Sequence, residues 1–264
     1  MPASDTLPLP ARRPGRRVSI SPNTMQERHI SVGPVEILAD AGIDQAWTAE
    51  HFSAGYWQRK GRLLTSAAGG RGAVAIVSAN GEQWAIRPYL RGGMARHLSR
   101  NRYVWQGSTR VRSIREWRLI SRLFEAGLPV PRPVAAAYRR TGLSYTASII
   151  TRRIETARPL AEHLQERSLD EAAWRSLGAC VRRFHDAGVW HADLTAHNLL
   201  LDADGAPWLL DFDRGRLRAP GSWKQANLDR LLRSLRKIST QTPATQFAPI
   251  NWLSLLEGYS QMSA

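Results

Sequence analysis

The segment His191-Ala-Asp-Leu-Thr-Ala-His-Asn198, followed by Asp211-Phe-Asp213, carries the residue types that phosphoryl transfer from a nucleotide requires. A carboxylate must position the acceptor hydroxyl and take its proton. Oxygen ligands must hold Mg²⁺ against the phosphates, and donors must cradle the phosphate tail. Asp193 stands where the first role belongs. Asn198, five residues on, and Asp211, thirteen beyond that, are spaced as two metal ligands. A lone H-x-D is a weak signal, and aspartates also cap turns. The pattern H-x-D-x-x-x-x-N followed by D-F-D across a short apolar hairpin is far more specific. His191 reads as an internal brace for the loop rather than a proton carrier. His197 either touches substrate or faces solvent.

Further parts of a nucleotide pocket are expected upstream. Gly69-Gly-Arg-Gly72 precedes a strand expected over 73–77. Such a turn lets backbone N–H groups approach phosphates, which makes Gly69, Gly70 and Gly72 candidate ATP contacts, although any tight turn favours glycine. A cation on the third strand and a glutamate on the next helix would complete the pocket. Glu116 is the only acid from Arg87 to Arg118, among nine arginines, and is expected to be paired. The strand Gln83-Trp-Ala-Ile-Arg87 ends in arginine where a standard kinase carries lysine, and Lys60, Lys224 and Lys237 all fall elsewhere. Arginine is longer, planar and bidentate, so the exchange is not conservative. Either Arg87 reaches the phosphates in its own geometry or the pocket is degenerate.

These residues need strands first and helices after. Ala73–Val77 and Gln83–Arg87 flank Asn80-Gly81, a strong hairpin signal. Val111, Ile114, Trp117, Ile120 and Phe124 recur at helical spacing, and Gly127 is a natural stop. Leu128–Pro133 reads as an extended connector, Ser144–Thr151 as a strand, and 151–156 as a hinge. The second half opens with a helix that Ser168 can cap, with Asp170 and Glu171 at its positive end. Trp174, Leu177, Val181 and Phe184 form its apolar face, ended by Gly188. Leu199–Leu201 and Trp208–Leu210 are strands around the turn Asp202-Ala-Asp-Gly205, so a small hairpin returns Asp211 towards Asn198. Helices are expected near 222–238 and 249–260.

Bulk properties narrow the partners. The chain has 264 residues and 37 basic against 22 acidic side chains, a net charge of +15. Such a field draws nucleic acid, nucleotides, phosphorylated glycolipids or an anionic membrane; an arginine-rich solvated surface would read the same way. The single cysteine, Cys180, excludes an intramolecular disulfide and fits a core position. No apolar run approaches a membrane span, so membrane contact is expected to be peripheral. Residues 1–28, with five prolines and the pairs Arg12-Arg13 and Arg16-Arg17, read as a disordered tail. That tail could be a basic arm for anionic lipid, or reflect translation that truly begins at Met25.

Taken together, Ile86-Arg-Pro-Tyr-Leu-Arg-Gly-Gly93, Gly127-Leu-Pro-Val-Pro-Arg-Pro133, His191–Asn198 and Asp211-Phe-Asp-Arg-Gly215 resemble the 3-deoxy-D-manno-octulosonic acid (Kdo) kinases, lipopolysaccharide core kinases of Gram-negative bacteria. The resemblance spans about residues 29–240. It implies an α+β, bilobal protein-kinase-like fold, with an antiparallel-sheet N-lobe over 29–153 and a mainly helical C-lobe over 154–264. It implies ATP and Mg²⁺, and phosphorylation of the 4-hydroxyl of Kdo on a lipid A precursor at the cytoplasmic face of the inner membrane. Asp193 carries over as catalytic base, and Asn198 and Asp211 as magnesium ligands. Arginine at 87 also follows the family, whereas Pro88 replaces an expected histidine. The arginines from 87 to 118 and the eight basic residues from Arg214 to Lys237 then become candidates for the glycolipid and membrane-facing surface. Two other functions compete. One is a different small-molecule kinase, although the basic runs would repel a cationic aminoglycoside. The other is a pseudokinase acting as a binding module, supported by Arg87 alone. Nucleic-acid binding is not expected, because no aromatic stacking pattern accompanies the charge.

Overall fold

Alternating apolar residues in the first half and helical periodicity in the second divide the chain into a sheet and a helical body. The computed structural model describes residues 24–66, 74–89, 102–242 and 244–261. Seven strands form one antiparallel sheet. Their spatial order is β1 (Glu27–Val32), β2 (Val35–Asp40), β7 (Pro133–Thr141), β8 (Ser144–Arg152), β5 (Glu82–Pro88), β4 (Ala75–Ala79) and β3 (Leu63–Ser66). A short strand, β6 (Tyr103–Val104), also pairs with β8. The sheet starts at Glu27, just inside the stretch expected as tail, and the hairpin β1–β2 is an addition to the sequence expectation. Arg87 is therefore on the third strand of the β3–β4–β5 meander but the fifth in chain order.

The Asn80-Gly81 turn forms as expected. Both residues have left-handed backbone, φ 51° and 75°, as a two-residue hairpin turn requires. Its register puts Val77, Trp84 and Ile86 on one face, under Trp47 and Trp57. Trp47 comes from the β2–β3 connection, Trp57 from its short helix α1 (Ala54–Arg59). The Trp47 ring stacks on Trp84 with centroids 5.6 Å apart. By the period of two, Ala85 and Arg87 face the other way, into a cleft. Pro88 does not disturb this ladder. It pairs with Ser148, and Tyr89 N–H continues to the Ala147 carbonyl at 2.9 Å. Its missing N–H faces the β4 side, where the paired segment ends opposite Ile86.

Helix α2 (Arg112–Glu125) covers the cleft face of the sheet through Ile114, Trp117 and Ile120, all buried. Gly127 ends it at φ 68°: its N–H donates to Phe124 O and the Leu128 N–H to Leu123 O, the paired bonds of a Schellman cap. The helical body contains α3 (Leu160–Glu166), α4 (Glu171–Asp186), α5 (Trp223–Gln241) and α6 (Pro249–Gln261). The cap of α4 corrects the expectation. Asp170, not Ser168, accepts from Ala173 N–H at 2.8 Å, because Ser168 lies too early to reach the first turn. Cys180 is buried on α4 and its thiol is pushed up to about 12 by burial, in keeping with an inert core residue. Among the described residues no helix is long and apolar enough to cross a membrane.

Candidate active site

Short strands between α4 and α5 position the acidic residues. They are β10 (Val189–Trp190), β11 (Leu199–Leu201), β12 (Pro207–Leu209) and β13 (Arg216–Leu217), while β9 (Arg158–Pro159) flanks β11. The loop 191–198 runs from β10 to β11, and Asp211 lies between β12 and β13. Pairing of β11 with β12 and of β10 with β13 clamps both ends, and Leu210 N–H donates to Asn198 O at 2.9 Å. The hairpin thus returns Asp211 to Asn198 as the spacing predicts, and both line one cleft of about 440 Å³. Arg87, Tyr89, Arg112, Glu116 and Asp213 line the same cleft.

His191 braces the loop. Its Nε2–H donates to Leu210 O at 2.9 Å and its Nδ1 accepts the Asp193 N–H at 3.1 Å, which together select one neutral tautomer. Burial lowers its pKa from the usual histidine value, so it stays uncharged. Its ring meets Phe212 edge-on at 5.1 Å. Three residues of one α5 face stitch the loop to that helix. Asn227 bonds both the N–H and the carbonyl of His191, at 3.2 and 2.9 Å. Ser234 Oγ accepts from Ala196 N–H at 3.2 Å. Arg230 donates to Asp193 Oδ1 from Nη2 at 2.5 Å and from Nε at 3.1 Å. Asn198 Nδ2 donates to the Asp193 carbonyl at 2.8 Å, which fixes its amide and leaves its oxygen as an acceptor.

Arg87 joins the sheet to the acidic segment. Its Nη2 donates to Glu116 Oε1 at 2.5 Å and its Nη1 lies 3.3 Å from Asp211 Oδ1. The other Glu116 oxygen accepts the Tyr89 hydroxyl, so both oxygens of this buried carboxylate are used. Burial works against the Arg87 charge, yet Glu116, Tyr89 and Asp211 hold its pKa above the ordinary arginine value. Burial raises the Glu116 carboxyl, with Arg87 pulling the other way, and keeps the Tyr89 phenol protonated well above its usual range. A second bridge, from Arg112 of α2 to Asp213, has Nε 2.8 Å from Oδ1. Arg112 also lies over the Tyr103 and Tyr89 rings, 4.6 and 5.6 Å from their centroids.

The expected pairing of Glu116 is therefore present, with Arg87 as its partner. Asp211 takes a left-handed backbone, φ 61°, which costs of order 1–3 kcal/mol for a non-glycine residue and is most tolerable for Asp or Asn. That conformation turns its carboxylate into the cleft. Gly69, Gly70 and Gly72 lie outside the described residues, as do Arg91, Arg96 and Arg100. Tyr89 and Asn227 are additions to the expected site, while Asp213, Arg112 and Arg230 were named only within the Asp-Phe-Asp pattern and the two basic runs, without these partners. The second aspartate of Asp-Phe-Asp was the one visible signal; the others depend on contacts between distant segments. Mg²⁺ prefers oxygen ligands and is held by one or two carboxylates plus phosphates, so Asp211 with the Asn198 oxygen is a donor set that suits it.

Three comparisons with known proteins bear on this site. Residues 54–259 match the model of the lipopolysaccharide kinase (Kdo/WaaP) family. A 3-deoxy-D-manno-octulosonic acid kinase from Xanthomonas axonopodis pv. citri (strain 306) is 49% identical over 191 residues, 72% of this chain and 76% of that protein. The enzyme of that name from Stenotrophomonas maltophilia (strain K279a) is 47% identical over 188 residues, 71% of this chain and 74% of its own. Among solved structures, WaaP in complex with acyl carrier protein matches 85% of this chain and 88% of its own with a TM-score of 0.55 at 18% identity, a likeness of fold.

Proposed function

The chain belongs to the lipopolysaccharide kinase (Kdo/WaaP) family, a family of ATP-dependent phosphotransferases, and from that premise we propose that it phosphorylates the 4-hydroxyl of Kdo on a lipid A precursor. The observation that carries the reading is the convergence on one cleft of Arg87, Glu116, Asn198 and Asp211 beside Asp193. Asp193 takes the proton of the acceptor hydroxyl as its oxygen attacks the γ-phosphorus, and the bond from that phosphorus to the β,γ-bridging oxygen breaks to release ADP. Arg87 donates to the ATP phosphates while Glu116 and Tyr89 hold its guanidinium in place. Asn198 and Asp211 would hold Mg²⁺, which offsets phosphate charge when bound. Gly69, Gly70 and Gly72 remain candidate phosphate contacts on their sequence pattern alone. The boundary between an N-lobe and a C-lobe falls near residue 153, after β8. The arginine-rich surface meets the acceptor's phosphates and the anionic inner membrane from its cytoplasmic side, as a peripheral contact.

The test is ADP release by the purified chain over Kdo-lipid A precursor, a set of aminoglycosides and a generic protein, with Asp193→Ala as control. Turnover confined to the Kdo lipid, lost in the variant, supports the reading, and phosphorus NMR of the product assigns the hydroxyl. Turnover of another acceptor alone, or Mg-ATP binding without turnover of any, overturns it.

A further inference from the structure

Helix α5 carries Arg230, Arg233 and Lys237 three and four residues apart, which places them along one stripe. All three are exposed, and Asp193 is the only carboxylate that the stripe touches among the described residues. Arg230 heads the stripe. Two of its five N–H donors fall on a single oxygen, Asp193 Oδ1, and the other three have no protein partner among the described residues. Both side chains of this pair are about half exposed, 45% and 49%, so an incoming molecule can reach and separate them.

Position tells which molecule. The cleft lined by Arg87, Asn198 and Asp211 includes neither Arg230 nor Asp193. Asn198 holds Asp193 by its backbone carbonyl from the cleft side; Arg230 holds it by the carboxylate from α5. The guanidinium thus lies outside the cleft that the phosphate-binding residues line, on the solvent-accessible carboxylate that an acceptor hydroxyl has to reach. There it competes with the acceptor hydroxyl for the lone pairs of the base. A guanidinium fork matches a carboxylate in shape and charge. An acceptor with its own carboxylate can offer Arg230 an exchange of like for like; a neutral sugar cannot.

We propose that Arg230 is the receptor for the carboxylate of the sugar-acid acceptor, holding Asp193 while the acceptor is absent and releasing it when the acceptor's carboxylate takes its place. Arg233 and Lys237 continue the same cationic track away from the loop. The exchange makes a free base conditional on the correct acceptor, so discrimination comes partly from denying wrong sugars an available Asp193. This rests on the reading of the acceptor as Kdo.

The experiment uses the full chain with Mg-ATP and two acceptors, Kdo-lipid A precursor and the same lipid with the Kdo carboxyl methyl-esterified. The native chain is expected to prefer the acid by about 10–100-fold in kcat/KM, the range of one charge-assisted contact. Arg230→Gln should bring that ratio close to one, chiefly through a higher KM for the acid, and leave the KM for ATP in place. Arg230→Lys, which keeps charge but not the fork, should recover part of the preference. A native acid-to-ester ratio in Arg230→Gln, or an equal loss on both acceptors, would assign Arg230 a scaffolding role and overturn the proposal. Failure of the native chain to phosphorylate the acid at all would overturn the acceptor reading itself, and this proposal with it.

Discussion

Replacing Arg87 by lysine asks whether the nucleotide pocket is tuned to a fork. Nη2 of Arg87 serves Glu116 while Nη1 faces Asp211. A single ammonium cannot span both carboxylates from the same strand position. Arg87→Lys should raise the KM for ATP about tenfold or more, a loss near 1.4 kcal/mol, with a smaller fall in kcat. Steady-state kinetics at saturating acceptor would check this; a KM within about twofold of native would mean that charge alone suffices. At this scale the sequence was legible where chemistry restricts the choice of residue. Asp193, Asn198 and Asp211 stand at a fixed spacing, and Glu116 was an acid alone among arginines. Arg230 was hidden inside a basic run, and nothing in a linear reading points it at a carboxylate 37 positions away. Asn227 was likewise an ordinary polar residue until α5 folded against the loop.

Elements were legible in proportion to their length and period. Helices α2, α4, α5 and α6 repeat their apolar residues over several turns, and the β4–β5 hairpin announces its turn. The two-residue strands β9, β10 and β13 are too short to leave any pattern, yet they clamp the acidic loop. The β1–β2 hairpin was missed because β1 is largely exposed and shows little alternation. Glycines inside helices are the other lesson. Gly178 on α4 and Gly258 on α6 passed without notice in the sequence, but they are where these helices cross. A Cβ on Gly178 would fall 1.9 Å from Leu255 O, and one on Gly258 2.0 Å from Arg175 O. Backbone cannot yield as a side-chain end can, so α6 would have to move away from α4. Gly258→Ala should cost about 1–3 kcal/mol or more by overpacking. At roughly 2–4 °C per kcal/mol for a chain of this size, thermal denaturation would read it directly. An unchanged Tm would show that the crossing is looser than described.

The net charge of +15 was legible at once, but its arrangement was not, and the molecule's response to acid depends on buried histidines that composition cannot place. His185 is buried between Trp223 and Tyr259, with Nδ1 2.7 Å from the Tyr259 hydroxyl. Burial lowers its pKa to about 4, and the Lys224 charge adds to that. Burial also lowers the pKa of His191 and of His51. The unfolded chain would protonate these rings near the ordinary value of about 6.5. Between that pH and about 4 the unfolded state binds more protons than the folded one, so stability is full above about 6.5 and falls as pH drops. His185 alone accounts for about 3 kcal/mol over this window, at ~1.4 kcal/mol per pH unit. The carboxylates shifted downward do not mask it, because their change has the same sign. Glu27 and Asp186 are shifted below their ordinary values, so their losses come only at still lower pH. Glu116, shifted upward by burial, works the other way on acidification but is one group against three. Urea midpoints measured from pH 7.5 to 4.5 should therefore decline steadily below 6.5, and His185→Gln should flatten the slope while lowering the plateau. A midpoint at pH 5 equal to that at pH 7.5 would contradict the burial of these rings in their neutral form.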